Sequence, residues 1–281
     1  MQLCEKDWAI VYDKINPKEE LLREALCTVG NGYMGIRGSA PESLPSENHY
    51  PGIYLAGLYN RLPTRMAGKT IINEDMVNCP NFFFMNVGVE GGKWFSPDLK
   101  KEIKNFRQCL DMKRGIFSRQ LVWEEPNGKK TFISFSRIAS MENPLVAAMI
   151  YRIKPLNYSG KITVKTMIDG SVQNTGVARY RKLNCQHWTN INPLAKGNFA
   201  FLTAETKSPK ILLVIGTKTE IFCSGRKINA KRKSEVKDKN KICEEFSFYA
   251  KKGSLYEVCK TAVVEKLHPE TKNPVVLAEK K

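Results

Sequence analysis

The sequence predicts an all-β protein, folded as an antiparallel sandwich or barrel. Short runs rich in β-branched and aromatic residues recur along the chain, and turn residues separate them. No long amphipathic helix interrupts the pattern. A chain of 281 residues, of which 42% are hydrophobic, is long enough to bury a large core. These three observations together favour stacked sheets over a helical or mixed fold.

The first elements lie in the N-terminal third of the chain. Residues 8–12 are aromatic and β-branched, which predicts a strand. Residues 17–26 open with a proline, carry early acidic residues and repeat apolar residues at helical spacing, so local rules predict a short helix. Further strands are predicted at residues 53–59 and 82–89, and polar, proline-containing loops at residues 41–51 and 63–75.

A glycine-rich run at residues 30–38 is the most distinctive local pattern. It predicts a tight turn at Asn31-Gly32, a short strand at residues 33–36, and an Arg37 whose guanidinium reaches a carbonyl or a carboxylate. The run matches the letters of a dinucleotide-binding loop, but a proline-rich loop follows it instead of a helix. It also lacks the lysine and hydroxyl residue that end a phosphate-binding loop. Nucleotide binding is therefore disfavoured.

Hairpins are predicted from Cys109 onward. The clearest joins two alternating runs across Asn127-Gly128, the strongest short turn signal. The predicted strand pairs are residues 116–124 with 130–138, 145–153 with 161–168, and 199–206 with 210–217, and a turn at 251–254 separates strands at 245–250 and 255–264.

The net charge of +17 raises the question of nucleic-acid binding. The basic stretch at residues 226–241 has no interleaved aromatic residues on which bases could stack. We expect a solvated, mobile loop there, and nucleic acid is an unlikely partner.

Eight cysteines are spread along the chain without a CxxC pair, so a metal site is not expected. They are typical of reduced thiols in a cytoplasmic protein. The N-terminus lacks the layout of a signal peptide, and no apolar run is long enough to cross a membrane, so we expect a cytoplasmic location.

Candidate catalytic groups are few. Cleavage of a glycosidic bond needs two carboxyl groups on opposite sides of the bond. Adjacent glutamates on a strand point to opposite faces, so we interpret the pairs at 19–20, 124–125 and 244–245 as solvated residues at turns or strand ends. No nucleophile elbow accompanies His187, which we interpret, like His49 and His268, as a packed or loop histidine.

Several side chains are candidates for contact with a ligand or with another domain. Arg179 and Arg181 are suited to gripping an anion, although an interface role is the simpler interpretation. Trp188, Tyr50 and Tyr54 are candidates for exposed aromatic rings on which a sugar could stack, with Trp188 the strongest, although a core or interface role is the favoured interpretation for any single one of them.

Motifs along most of the chain resemble one known family. They include residues 26–38, 52–60, 77–82, 110–115 and 136–141, continued by 156–160 and 169–174. In this order they resemble the N-terminal domain of glycoside hydrolase family 65, which contains maltose, trehalose and kojibiose phosphorylases. The resemblance covers about residues 7–265 and implies a large two-sheet antiparallel sandwich of the galactose-mutarotase type. It also implies a strand at residues 25–29, in conflict with the helix above. We retain a brief helical turn at 17–22 with a strand after it.

The resemblance implies a division of labour between domains. In the family a following (α/α)6 barrel carries the general acid and the pocket for inorganic phosphate, the co-substrate, and no stretch of these 281 residues resembles it. We therefore expect residues 1–268 to form the non-catalytic β domain, and residues 269–281 to form a polar tail or the start of a linker. The chain is expected to be a fragment or split-gene product of a disaccharide phosphorylase or hydrolase, with no cofactor and no metal.

The implied partners are the catalytic barrel, in the same chain or from a neighbouring gene, a second copy in a homodimer, and a disaccharide substrate. The loop at 63–75 or at 41–51 would lie near the mouth of the active site. Residues expected near the substrate or at an interface are Arg37, Arg65, Arg179, Arg181 and Trp188. The alternatives are a freestanding carbohydrate-binding module and a basic nucleic-acid-binding protein.

Overall fold

Strands dominate the computed structural model, which describes residues 6–175 and 183–279. The strands are β1 (Ala9–Tyr12), β2 (Val29–Gly30), β3 (Met34–Ile36), β4 (Ile53–Leu55), β5 (Tyr59–Met66), β6 (Lys69–Met76), β7 (Asn81–Val89), β8 (Ile103–Asp111), β9 (Ile116–Glu124), β10 (Lys130–Ala139), β11 (Val146–Pro155), β12 (Gly160–Asp169), β13 (Trp188–Lys196), β14 (Phe199–Thr206), β15 (Leu212–Cys223), β16 (Arg226–Lys227), β17 (Lys231–Asp238), β18 (Lys241–Ala250) and β19 (Tyr256–Leu267). The α-helices are α1 (Glu20–Leu26) and α2 (Pro274–Glu279).

Two antiparallel sheets form the body of the protein and confirm the predicted sandwich. The larger sheet has ten strands in the order β1-β8-β9-β10-β11-β19-β15-β14-β13, with β16 beside β15. The smaller sheet has four strands in the order β17-β18-β12-β7. Strand β11 shows how the sequence encodes this arrangement, because Ala147, Met149, Tyr151 and Ile153 are buried while the residues between them are half-buried. The inward faces of both sheets contribute to one continuous hydrophobic core.

The hairpins predicted from Asn-Gly and from sequence alternation are confirmed in two cases. Strands β9 and β10 pair across a turn in which Gly128 has a φ of 83°, and β14 pairs with β15. The hairpin predicted between residues 145–153 and 161–168 is wrong. Both strands exist, but β11 pairs with β10 and β19 in the large sheet, whereas β12 pairs with β18 and β7 in the small one. The short connection therefore crosses from one sheet to the other.

The conflict over residues 17–29 is resolved in favour of the local rules. A 3-10 turn at Pro17–Glu19 leads directly into α1, which ends at Leu26, and β2 starts only at Val29. The strand expected at residues 25–29 is therefore wrong. The Arg23 side chain fixes the helix, because it donates hydrogen bonds to the Lys14 carbonyl at 2.6 Å and to Glu19 at 2.9 Å.

The glycine-rich run forms the predicted turn and strand. The Asn31 side-chain oxygen accepts hydrogen bonds from the backbone N–H groups of Tyr33 and Met34, and Gly32 has a φ of 83°. Gly38 has a different function, because a Cβ atom there would lie 2.5 Å from the Cβ of Cys27. The run therefore turns the chain at one end and permits a close approach at the other.

Two segments expected to be irregular are regular. The mobile loop predicted at residues 226–241 is wrong, because β16 and β17 occupy most of it and β17 is an edge strand of the small sheet. Its lysines suit an edge strand, where charged side chains oppose pairing with another molecule. In the predicted polar tail, α2 packs Ala278 against Phe201 and Val214. Neither described helix is long and apolar enough to cross a membrane.

Candidate functional site

The segment at residues 63–75 is a hairpin and not the predicted loop. Strands β5 and β6 pair along their whole length, and their turn at Ala67-Gly68 has positive φ at both residues, 50° and 75°. That conformation matches the twist of the strands it joins. Arg65 is exposed near the turn, opposite Thr70. The predicted strand at residues 53–59 is correspondingly shortened to β4, since β5 begins at Tyr59.

The outward face of this hairpin carries exposed apolar side chains. Ile72 is 68% exposed, and Tyr59 and Met76 are also exposed. Arg61 and Glu74 lie opposite each other on the same face, with 3.4 Å between the Arg61 Nε and the Glu74 carboxylate. An exposed face that combines apolar side chains with an arginine is typical of a surface that contacts another protein domain.

The base of the hairpin is fixed by a buried Asn60. Its side-chain N–H donates to Nδ1 of His187 at 2.9 Å, and its side-chain oxygen accepts from the Ser208 N–H at 2.6 Å. Because the asparagine donates, the ring proton of a neutral His187 lies on Nε2. That nitrogen lies 3.8 Å from the Asp75 carboxylate. Burial, together with the charge of Lys207, outweighs Asp75 and lowers the pKa of His187 below its usual value.

Trp188 belongs to the same base and is not an exposed sugar platform. It is only 5% exposed, and its indole N–H donates to the Asn78 carbonyl at 2.7 Å. The Asn174 side chain accepts from the Asn78 N–H and donates to the Met76 carbonyl, which closes the network onto the hairpin. The candidate role as an exposed sugar platform is therefore wrong for Trp188, and its burial agrees with the favoured core or interface role. We refer to the β5–β6 hairpin together with residues 173–174 and 184–188 as the hairpin site.

Arg37 adjoins the hairpin site through Tyr50. Its guanidinium donates to the Tyr50 carbonyl at 3.0 Å and to the Leu21 carbonyl at 2.9 Å, as the sequence predicted for a carbonyl partner. The Tyr50 hydroxyl donates to the Gln173 carbonyl, and the Tyr54 hydroxyl donates to that of Tyr50. Tyr50 is also buried, which contradicts its candidate role as a sugar platform and agrees with the favoured core or interface role. Arg37 therefore positions the loop at residues 41–51 beside the hairpin site.

Glu24 is an important buried residue that the sequence gave no reason to select. Its carboxylate lies 3.0 Å from Nδ1 of His49 and accepts a hydrogen bond from the Tyr50 N–H at 2.9 Å. Asp98 lies 3.2 Å from the other ring nitrogen of His49. Burial alone would lower the pKa of His49, but the two carboxylates outweigh burial and raise it.

The buried carboxylates are mostly engaged in structural contacts. Glu42 accepts from Arg119 at 2.7 Å and from the Tyr151 hydroxyl at 2.6 Å. Glu244 accepts from Arg232, so the expectation of a solvated residue is wrong for Glu244. It is also wrong for Glu125, which is buried at a tight turn and whose pKa is raised by burial. A glycosidase needs two carboxyl groups free to face a bond, and Glu42 and Glu244, each held by an arginine, do not provide them.

The remaining candidates are two arginines, one histidine and a possible metal site. Arg179 and Arg181 lie outside the described residues. His268 is exposed near Glu270. Within residues 6–175 and 183–279, no group of three or more histidine, cysteine, aspartate or glutamate side chains could hold a metal ion.

The fold and the hairpin site define a large antiparallel β-sandwich domain that carries an exposed β5–β6 hairpin. A family model described as "Glycosyl hydrolase family 65, N-terminal domain" matches residues 10–281. The chain belongs to this family, as its N-terminal domain.

Curated relatives agree with this assignment. An uncharacterized glycosyl hydrolase of Mycobacterium tuberculosis is 38% identical over 79% of this chain and 17% of its own length. The trehalose 6-phosphate phosphorylase of Lactococcus lactis is 31% identical over 97% of this chain and 34% of its own length. A kojibiose phosphorylase of Caldanaerobacter subterraneus is 32% identical over 75% of this chain and 26% of its own length. The chain thus spans at most about a third of these relatives.

A solved structure supports the fold independently. A putative kojibiose phosphorylase from the human microbiome superposes with a TM-score of 0.82 over 98% of this chain and 35% of its own. The sequence identity is 18%, so this likeness concerns the fold alone.

Proposed function

We propose that this chain is the non-catalytic N-terminal domain of an enzyme that cleaves α-glucosidic disaccharides by phosphorolysis or hydrolysis. The observation that carries the proposal is the family match over residues 10–281, combined with a length of at most about a third of the relatives. The engagement of Glu24, Glu42 and Glu244 in structural contacts supports a role without chemistry of its own. Inorganic phosphate would be a co-substrate bound by the catalytic domain, and this domain needs no cofactor.

The proposed partner is an (α/α)6-barrel catalytic domain that packs against the hairpin site. The exposed apolar face of the hairpin supports this, because Ile72, Tyr59 and Met76 would be removed from water on docking. Arg65 at the tip would lie nearest the partner, and a homodimer is compatible with the same arrangement. A cytoplasmic location belongs to the same proposal and is supported by the buried free thiols of Cys27 and Cys79.

A chimera tests the role of the domain. Residues 10–281 replace the corresponding segment of the Lactococcus lactis trehalose 6-phosphate phosphorylase, the relative that matches nearly the whole chain. The purified 281-residue chain is assayed beside the chimera for phosphate-dependent sugar phosphate release from trehalose 6-phosphate, trehalose and kojibiose. We expect activity from the chimera and none from the chain alone. Turnover by the chain alone at an enzyme-like rate would overturn the proposal.

A shortened hairpin tests the docking surface in the same chimera. Replacing residues 65–70 with Asn-Gly joins Thr64 to Ile71 through a two-residue turn and preserves their pairing. We expect a higher KM for the disaccharide, because the tip no longer reaches the partner. The matched control replaces Asn127-Gly128 of the β9–β10 turn with Asp-Gly, and it should leave KM unchanged. Unchanged kinetics in the shortened variant would remove the hairpin from the proposal.

A further inference from the structure

A hollow of about 480 Å³ lies on the outer face of the large sheet, since its lining residues Gln120 and Ser134 alternate along their strands with the core residues Leu121 and Ile133. Its floor is formed by β9, β10 and β11, and we call it the sheet hollow. The polar floor residues are Ser118, Gln120, Ser134, Ser136 and Arg152. Its volume falls within the range of about 300–1,000 Å³ that is usual for small-molecule sites.

Strand register arranges the polar floor in two rows. Gln120 lies opposite Ser134, and Ser134 lies opposite Arg152, so one row crosses three strands. Ser118 lies opposite Ser136 in a second row, two residues along the strands. Neighbouring strands are about 4.8 Å apart, so the first row spans about 10 Å and the second about 5 Å. Because they project from central strands of a sheet, these groups are held in fixed positions.

The charged groups of the sheet hollow are already neutralised. The Arg152 Nε donates to Glu257 at 2.9 Å, and the Arg114 Nε donates to Asp111 at 2.6 Å. The hydrogen bonds to Arg114 hold the pKa of Asp111 below its usual value despite burial, so the negative carboxylate balances the positive guanidinium. The sheet hollow therefore offers an anion no excess of positive charge.

The uncharged groups of the floor are free to bind. Within the described residues, no hydrogen bond engages the side chains of Gln120, Ser134 or Ser136. A hydroxyl both donates and accepts, and a primary amide does the same, which is the pattern that a sugar hydroxyl needs. Phe132 and Leu255 add apolar surface at the border, against which the C–H face of a sugar ring can pack.

We propose that the sheet hollow binds a neutral, polyhydroxylated ligand of mono- or disaccharide size. This site is separate from the hairpin site, because it lies on β9–β11 and shares no residue with β5 and β6. It would give the domain a sugar-binding function in addition to docking. It does not depend on the identity of the catalytic partner, so it can be tested on the chain without one.

Calorimetric titration of the 281-residue chain with trehalose and with maltose tests this site. We expect saturable, weak binding, with a dissociation constant on the order of 1 mM. The variants Gln120→Ala and Ser136→Val each remove hydrogen-bonding groups from the floor and should weaken binding about tenfold. The matched control is Ser247→Val, which makes the same change on β18 in the small sheet. It should bind as the unmodified chain does.

Three outcomes would overturn the proposal. The first is the absence of saturable binding of either sugar up to about 50 mM, well above the expected dissociation constant. The second is equal affinity in Gln120→Ala, Ser136→Val and the unmodified chain. The third is markedly tighter binding of glucose 6-phosphate than of trehalose, because that result would identify an anion site. Far-ultraviolet circular dichroism of each variant confirms that the strands are intact.

Discussion

The loop at residues 41–51 and the β5–β6 hairpin differ in a way that their sequences do not suggest. Both are polar, proline-containing segments, and both were expected to be loops. The first is irregular but is held by buried charges, since Glu42 binds Arg119 and Tyr151 and His49 binds Glu24. The second is a regular hairpin, yet its outward face is exposed and its ion pair lies in solvent. Regular secondary structure and burial are therefore separate properties, and burial decides which segment belongs to the core.

The largest expected effect comes from breaking the buried pair under the loop. Glu42→Ala leaves the Arg119 charge buried without its carboxylate, which should cost about 3–5 kcal/mol of unfolding free energy. Glu74→Ala breaks the exposed pair on the hairpin and should cost less than about 1 kcal/mol. Urea denaturation of both variants measures the difference.

A milder variant covers the case in which Glu42→Ala does not fold. Glu42→Gln keeps the shape and one acceptor oxygen for Arg119 and Tyr151, so it should fold with a smaller loss than Glu42→Ala. If Glu42→Gln and Glu74→Ala were both as stable as the unmodified chain, the idea that buried charge holds the loop would be contradicted.

The second effect concerns two glycines, one beside each segment. A Cβ atom at Gly38 would lie 2.5 Å from the Cβ and 2.8 Å from the carbonyl oxygen of Cys27, so Gly38→Ala should cost about 1–3 kcal/mol by overpacking. Gly68 at the hairpin turn has a φ of 75° and open space around it, so Gly68→Ala should cost only about 1 kcal/mol from backbone strain. Thermal unfolding of the two variants compares them, and a costlier Gly68→Ala would reverse the ranking.

The sequence was informative wherever a contact is local. The turn at Asn127-Gly128 and the Asn31-Gly32 turn depend on neighbouring residues, and both were predicted. The β5–β6 hairpin was missed because its exposed face breaks the alternation that marks a half-buried strand. The crossing from β11 to β12 was missed because alternation shows which face is buried but not which strand lies alongside.

The candidate site was less predictable than the fold. Arg37 and Trp188 were selected, and both lie in or beside the hairpin site, but they serve as structural hydrogen-bond donors, Arg37 half-buried and Trp188 buried. Glu24 was not selected, because its partner His49 is 25 residues away and nothing local links them. Contacts of this kind depend on tertiary structure, and a single sequence carries no direct signal for them.

The smallest expected effect is a difference in pH dependence between the two segments. The pKa of His49, beside the loop, is raised above the usual value of about 6.5, and that of His187, below the hairpin, is lowered. A raised histidine pKa stabilises the folded state fully below about pH 6.5, and this contribution is lost as the pH rises through the folded pKa. A lowered histidine pKa has the opposite effect. As the pH falls, the unfolded chain binds the proton before the folded chain does, so stability decreases below about pH 6.5.

Two variants, each measured at two pH values, test this opposition. Urea denaturation at about pH 5.5 and about pH 8.5, on either side of the ordinary histidine pKa, gives the loss of unfolding free energy for His49→Gln and His187→Gln. The loss in His49→Gln should be larger at the lower pH, because only there does the protonated ring bind both Glu24 and Asp98. The loss in His187→Gln should be smaller at the lower pH. There the unmodified chain is itself destabilised, because burial of His187 disfavours its protonated form, and the glutamine variant lacks this penalty. If the loss of unfolding free energy changed with pH in the same direction in both variants, the predicted opposition between His49 and His187 would be contradicted.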